Sequence, residues 1–247
     1  MADNEQVVSK QAEERAEERS VGVSDAAAGT THFWISTYPL VQSKLLLVPP
    51  QDCSATYPSR ASLRIFDADG EIINEVQLVF ESSELSVLEM EQYLEGCKLV
   101  QGMKQAHLEV ATSPGITSAV RLIAGEASSF SAPLIELAKD DFHFLPVSFS
   151  ENRSNFALLV NFGETEAEVK CRLYRDKRKP EELVRIPPHG TRVVALEVDF
   201  VEHAGSVAHQ ASQVYLRIGL RSGSRVGVQV LEQTQPSPRS QFYSTVS

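Results

Sequence analysis

Ala61-Ser62-Leu63-Arg64-Ile65-Phe66 alternates small or apolar residues with polar ones, and Val169-Lys170-Cys171-Arg172-Leu173-Tyr174 repeats the alternation 108 positions later, Arg172 falling on Arg64. A period of two marks a strand with one buried face and one wet face. The repeat runs without a gap from Ala61–Ala124 onto Val169–Glu232. Leu88 falls on Leu196, Glu89 on Glu197, Gln105 on Gln213, Leu108 on Leu216 and Gly115 on Gly223. Val110 meets Ile218, Val120 meets Val228 and Leu122-Ile123 meets Val230-Leu231, so apolar register survives where identity does not. Self-similarity at one fixed spacing means a folding unit copied in tandem. The 247 residues therefore divide into two units, each near the roughly 100 residues of a β-sandwich.

Working outward, Lys44-Leu45-Leu46-Leu47-Val48 reads as a buried strand stopped by Pro49-Pro50. Its counterpart, Asn155–Asn161, lies at an offset of about 112, so the first copy carries the longer following loop, Pro49–Arg60. Asp67-Ala68-Asp69-Gly70 is a hairpin turn by composition, replaced in the second copy by Arg175-Asp176-Lys177-Arg178-Lys179-Pro180. Glu75–Val79 and Glu182–Ile186 return. Ser83–Met90 alone could pass for a helix, but its counterpart Thr191–Val198 is rich in β-formers, so both are expected to be strands, each followed by one helical turn (Glu91–Glu95 and Asp199–His203). Ala106–Val110 with Val120–Ile123, and Val214–Leu220 with Val226–Leu231, close the units. The expected fold is all-β: two tandem antiparallel β-sandwiches. The expected limits are a disordered acidic tail over 1–31, repeat 1 over 32–132, a linker over 133–141, repeat 2 over 142–235 and a flexible tail over 236–247.

Composition is that of a soluble globular protein, 42% hydrophobic and 23% charged. No apolar run nears the ~20 residues of a membrane helix. The first residues lack the apolar segment of a secretory signal, and three cysteines, Cys53, Cys97 and Cys171, form no C-x-x-C pair. Both features favour a reducing, cytoplasmic setting. The net charge of −10 is uneven: residues 1–31 have 7 acids and 3 bases, 32–140 have 14 and 7, and 141–247 have 12 and 13. A chain so acidic is a poor general nucleic-acid binder. Residues 1–31 hold too few large apolar side chains to offset the entropy of ordering, and Glu13–Arg19 favours at most a transient helix.

Ala157-Leu158-Leu159-Val160-Asn161, Val169–Asp176, Val184-Arg185-Ile186-Pro187-Pro188 before Thr191-Arg192, and the closing run Gly227–Gln233 together resemble the small β-sandwich of bacterial sensory rhodopsin transducer proteins. The resemblance covers the second half of the chain and reaches the first half through the repeat. It implies a bacterial, non-enzymatic interaction module and brings no catalytic residue with it.

The residues offer little local chemistry. No G-x-S-x-G, P-loop, G-x-G-x-x-G or H-E-x-x-H occurs. Asp199, Glu202, His203 and His209 share a loop, but at no established metal spacing, so no metal and no cofactor are expected. His189 in Pro187-Pro188-His189-Gly190 reads as a solvated turn residue, and His107, alternating with Ala106 and Leu108, as facing out of its sandwich. Arg172, Arg175, Lys177, Arg178 and Lys179 crowd one strand end and turn, with Arg185 and Arg192 near in sequence. They are either a solvated hairpin or a contact for an anionic partner, and the acidic first repeat, of this chain or of a neighbouring molecule, is one such partner. A scaffold or adaptor with a protein partner, and some capacity to self-associate, is the leading expectation. A small-ligand or carbohydrate module would stack its ligand on Trp34, Tyr38 and Tyr57, although Trp34 also suits a core. An enzyme of unfamiliar design is the third reading.

Overall fold

The computed structural model describes residues 29–37, 41–50, 58–100, 102–124, 127–131, 133–149, 153–174, 179–200, 212–234 and 241–245. In chain order the first unit has β1 (Gly29–Ser36), β2 (Gln42–Val48), β3 (Ser59–Phe66), β4 (Ile72–Phe80), β5 (Ser86–Glu89), β6 (Leu99–Val100), β7 (Met103–Thr112), β8 (Thr117–Ala124) and β9 (Ala127–Ser131). The second has β10 (Ile135–Ala138), β11 (Phe142–Phe149), β12 (Arg153–Asn161), β13 (Ala167–Tyr174), β14 (Glu181–Ile186), β15 (Thr191–Ala195), β16 (Ser212–Ser222), β17 (Arg225–Thr234) and β18 (Gln241–Thr245). Single helical turns at Met90–Leu94 and Leu196–Asp199 follow β5 and β15. The fold is all-β, as the alternation requires. No helix among the described residues is long and apolar enough to cross a membrane.

The strands form four antiparallel sheets. In the first unit β1-β7-β3-β4 faces β5-β2-β8-β9; in the second β11-β16-β13-β14 faces β10-β17-β12-β15. The repeat spacing reappears in the pairing: Leu63 lies opposite Val110 and Cys171 opposite Ile218, 108 positions on. Leu63, Cys171, Leu108 and Leu216 are all fully buried. In the facing sheets the ungapped overlay slips by two. Leu88 pairs with Leu45 inside β5, whereas Leu196 opens a helical turn, as Met90 does in the first copy. The matches of Leu88 with Leu196 and Glu89 with Glu197 are therefore not structural equivalences.

The two cores join. β12 is buried on both faces: Ala157 and Leu159 enter the second core, while Leu158 and Val160 enter a cluster continuous with the first. β1 behaves likewise, with Phe33 and Ile35 inward and Trp34 outward but only 1% exposed. β12 and β15 lie against β1 and β7. The four sheets thus stack in the order β5-β2-β8-β9, β1-β7-β3-β4, β15-β12-β17-β10 and β11-β16-β13-β14. Two sheet faces, one at each end of the stack, have no sheet upon them among the described residues.

Three expected limits shift. Gly29–Thr31, assigned to the tail, pair with Thr112–Val110 as the start of β1; the remainder of that tail, where a transient helix was expected, lies outside the described residues. The linker over 133–141 contains β10, which pairs with Arg225–Val228 of β17. The flexible tail over 236–247 contains β18, which pairs with Val230–Thr234 farther along the same edge. An open strand edge is a row of unsatisfied donors and acceptors, and aromatic residues and Thr, as in Gln241-Phe242-Tyr243-Ser244-Thr245, suit the strand that fills it.

Candidate functional site

The exposed end of the stack on the second unit carries the most concentrated chemistry. On the outer face of β11-β16-β13-β14, antiparallel register sets three rows. Phe142, Gly219, Lys170 and Leu183 form one; Phe144, Arg217, Arg172 and Glu181 the next; Pro146, Tyr215 and Tyr174 the third. These residues alternate with the buried Leu145, Val147, Leu216, Ile218, Cys171 and Leu173, so the same pleat that builds the core projects them outward.

Four rings dominate this face. The Phe142 and Phe144 centroids are 5.7 Å apart at 86°, and those of Phe144 and Tyr174 are 5.6 Å apart at 65°, both edge-to-face. Arg217 places its guanidinium carbon 4.1 Å from the Phe142 centroid, and Lys179 its ammonium 5.4 Å from the Tyr174 centroid, both within cation–π range. Gly219, lacking a side chain between Phe142 and Lys170, leaves a depression of about 250 Å³ bordered by Asp141, Lys170, Arg172, Arg217 and Arg221. Glu181 bridges Lys170 (2.7 Å) and Arg172. Hydrogen bonds from Lys170 first, and then Arg172, hold its carboxyl below the ordinary value. Hydrogen bonds from Arg172 and Arg217 likewise lower the Tyr174 phenol. Among the described residues no carboxylate closes an ion pair with Arg217, Arg221 or Lys179, so the face retains positive charge.

The residues of the expected basic cluster divide. Arg172 and Lys179 belong to this face; Arg175, Lys177 and Arg178 lie outside the described residues. Arg185 is 3.8 Å from Glu168. Arg192 turns to the first unit, donating to the Ala68 carbonyl at 2.7 Å. The sequence reading missed Lys170, Phe142, Phe144, Tyr215, Arg217 and Arg221. Their signal was the polar-parity position of each in its strand, unreadable as a cluster until strands distant in sequence are set side by side.

The proposed stacking surface is corrected. Trp34 is buried, with its indole N–H donating to Gln105 Oε1 at 3.0 Å, because the second unit covers the outer face of β1; Tyr38 and Tyr57 lie outside the described residues. Glu202, His203 and His209 also lie outside them, and among the described residues no group of three metal-ligand side chains assembles.

His107 and His189 are corrected too. His107 does face out of its own sandwich, but it is fully buried beneath the second unit. His107 Nδ1 bonds the His189 carbonyl at 3.0 Å, so that nitrogen carries the proton. Its Nε2 then accepts from His32 Nδ1 at 2.9 Å. His32 stacks on Phe162 at 3.9 Å and His189 on Phe66 at 4.7 Å. Burial pushes His32 down to about 4 and His107 to about 3. Burial also raises the free thiols, Cys97 to about 11 and Cys171 to about 12.

No family model matches the chain, and no curated protein matches it. Among solved structures it is similar to beta-glucuronidase 2 of Bacteroides uniformis, at 8% identity over 86% of this chain and 25% of that one, with a TM-score of 0.18. It is also similar to infectious bursal disease virus Gt strain, at 6% identity over 83% of this chain and 57% of that one, with a TM-score of 0.17. The chain spans about a quarter of the glucuronidase's length, and likenesses this slight carry no inference about function.

Proposed function

We propose that this chain is a non-enzymatic binding protein, an adaptor or scaffold, whose working surface is the outer face of the second sandwich. The observation that carries the reading is the exposure of Phe142, Phe144 and Tyr215, each about half exposed, around Arg217, whose guanidinium lies over the Phe142 ring. Aromatic residues and Arg are the side chains most enriched where protein interfaces concentrate their energy. The cations select an acidic segment, and the rings supply apolar contact area. Among the described residues the groups moved furthest from their ordinary values, His32, His107, Cys97 and Cys171, lie away from this face, which supports binding over catalysis there. The resemblance to the transducer sandwich, an interaction module, points the same way, and the reading includes a protein partner in a cytoplasmic setting.

Fluorescence anisotropy with labelled acidic peptides, each carrying one apolar anchor residue, tests it. Binding is expected at low salt and to weaken as salt rises. Arg217→Glu and Phe144→Ala are each expected to weaken it at least tenfold without moving the thermal midpoint. Binding indifferent to both substitutions, or no binding at any salt, would overturn the reading.

A further inference from the structure

The first unit shows what covers such a face. On its sheet β1-β7-β3-β4, His32, His107 and Phe66 form an outward aromatic corner, with Trp34 beside it. His32 lies opposite Glu109, Trp34 opposite His107, and Phe66 opposite His107. On the second unit Phe144 lies opposite Arg217, Pro146 opposite Tyr215, and Tyr174 opposite Tyr215. Phe144, Tyr215 and Tyr174 thus occupy the places of His32, His107 and Phe66. The first corner is covered and the second is open: His107 is 0% exposed and Tyr215 50%.

The cover in the first case is the outer face of β15-β12-β17 together with the turn between β14 and β15. Its cross-strand pair Leu158–Val193, with Val160 and Leu231, joins the first core. The turn seats so closely that a Cβ on Gly70 would lie 1.8 Å from the Pro188 carbonyl oxygen. The first unit has a counterpart to this cover, at the other end of the stack. Leu46–Val87 is the equivalent cross-strand pair, Val48 stands for Val160, and Glu81-Ser82-Ser83-Glu84-Leu85 between β4 and β5 stands for Pro187–Thr191. There Val48, Leu85, Val87 and Phe130 are exposed.

We infer that the outer face of the second sandwich receives the β5-β2-β8-β9 face of a second copy of this chain, repeating between molecules the packing that joins the two units within one. The inference rests on the reading of that face as the working surface and names its partner. Charge supports the match: the incoming turn carries Glu81 and Glu84 and would approach Tyr174 and Tyr215, where Lys179 lies over the Tyr174 ring and Arg217 hydrogen-bonds its phenol. Lys44, Glu89 and Arg121 stand where Phe156, Ala195 and Leu231 stand in the internal junction, so the intermolecular contact is the more polar and weaker of the two. The two surfaces are different patches, so the contact is heterologous and propagates into rings or open filaments.

Sedimentation velocity of the full chain, over a concentration series at low and high salt, tests this. Wild type is expected to exceed dimer mass at high concentration and to shift toward monomer with salt. Phe144→Glu and Val87→Glu are each expected to leave a monomer with an unchanged thermal midpoint. Mixed, the two variants still hold one intact patch each, and are expected to form a dimer that grows no further. Wild-type monomer at every concentration, or association that survives Val87→Glu, would overturn the inference. If monomeric protein still binds acidic peptides through Arg217, the partner is wrong and the working surface stands; if neither binding occurs, both fail.

Discussion

His107 illustrates how one side chain can be placed correctly in its strand and wrongly in the molecule. Its parity in β7 turns it out of the first core, and the second unit then covers it. The consequence is a sign that can be worked out. The unfolded imidazole takes up a proton near 6.5, the folded one only near 3, because burial first and then the neighbouring His32 disfavour the charge, against the His189 carbonyl that favours it. Between those values the unfolded state binds more protons, so stability is full above about 6.5 and falls as pH drops, by about 1.4 kcal/mol per pH unit for this group. Urea midpoints at pH 7, 5.5 and 4.5 should show the decline, and His107→Gln, which does not titrate, should lessen it, with His32, pushed down to about 4, supplying part of what remains. Gly70 offers a second test at this scale. Gly70 and Gly102 both have positive φ, at +87° and +78°, but only Gly70 faces backbone across the junction. Gly102→Ala should cost about 1 kcal/mol, the strain of a left-handed residue. Gly70→Ala should cost clearly more, as measured by thermal denaturation.

Among the elements, β12 does the most, packing one face into each core. It ends on Asn161, whose amide donates to the carbonyls of Thr165 (2.8 Å), Ile186 (3.2 Å) and Pro187 (3.0 Å), while its oxygen accepts from the Gly163 N–H at 2.9 Å. One buried side chain thus ties together the two loops that carry Phe162 and His189 to the first unit. Asn161→Asp would turn a donor into an acceptor facing three carbonyls, and should cost at least ~2 kcal/mol in chemical denaturation. Most strands were legible from period-two alternation. Within Ser83–Met90 the strand Ser86–Glu89 became legible only through the second copy, since a short apolar run has no decisive period of its own; Met90 and Leu196–Val198, expected to be strand, belong to the helical turns instead. β10 and β18 were not legible: each is an edge strand whose existence depends on β17 having an unfilled side, a fact of pairing between distant segments.

At the scale of the whole molecule, the continuous cluster through Leu158, Val160, Val193 and Leu231 makes the two sandwiches one cooperative body. Calorimetry should give a single transition, with no separate melting of either half. Leu158→Ala should cost about 2–5 kcal/mol although Leu158 points away from its own sandwich's core. The same substitution at Leu216, in the second core, should cost a similar amount. By itself the sequence determined the fold class, the duplication and the inward residues, because pleat alternation and a copied apolar register are local properties repeated along the chain. Tertiary structure alone decided which outward faces meet solvent. Trp34, His32 and His107 have the same outward parity as Phe144, Tyr215 and Arg217. The first set lies beneath another sheet and the second does not, because burial of an outer face depends on what is stacked upon it and leaves no mark in the strand's own period.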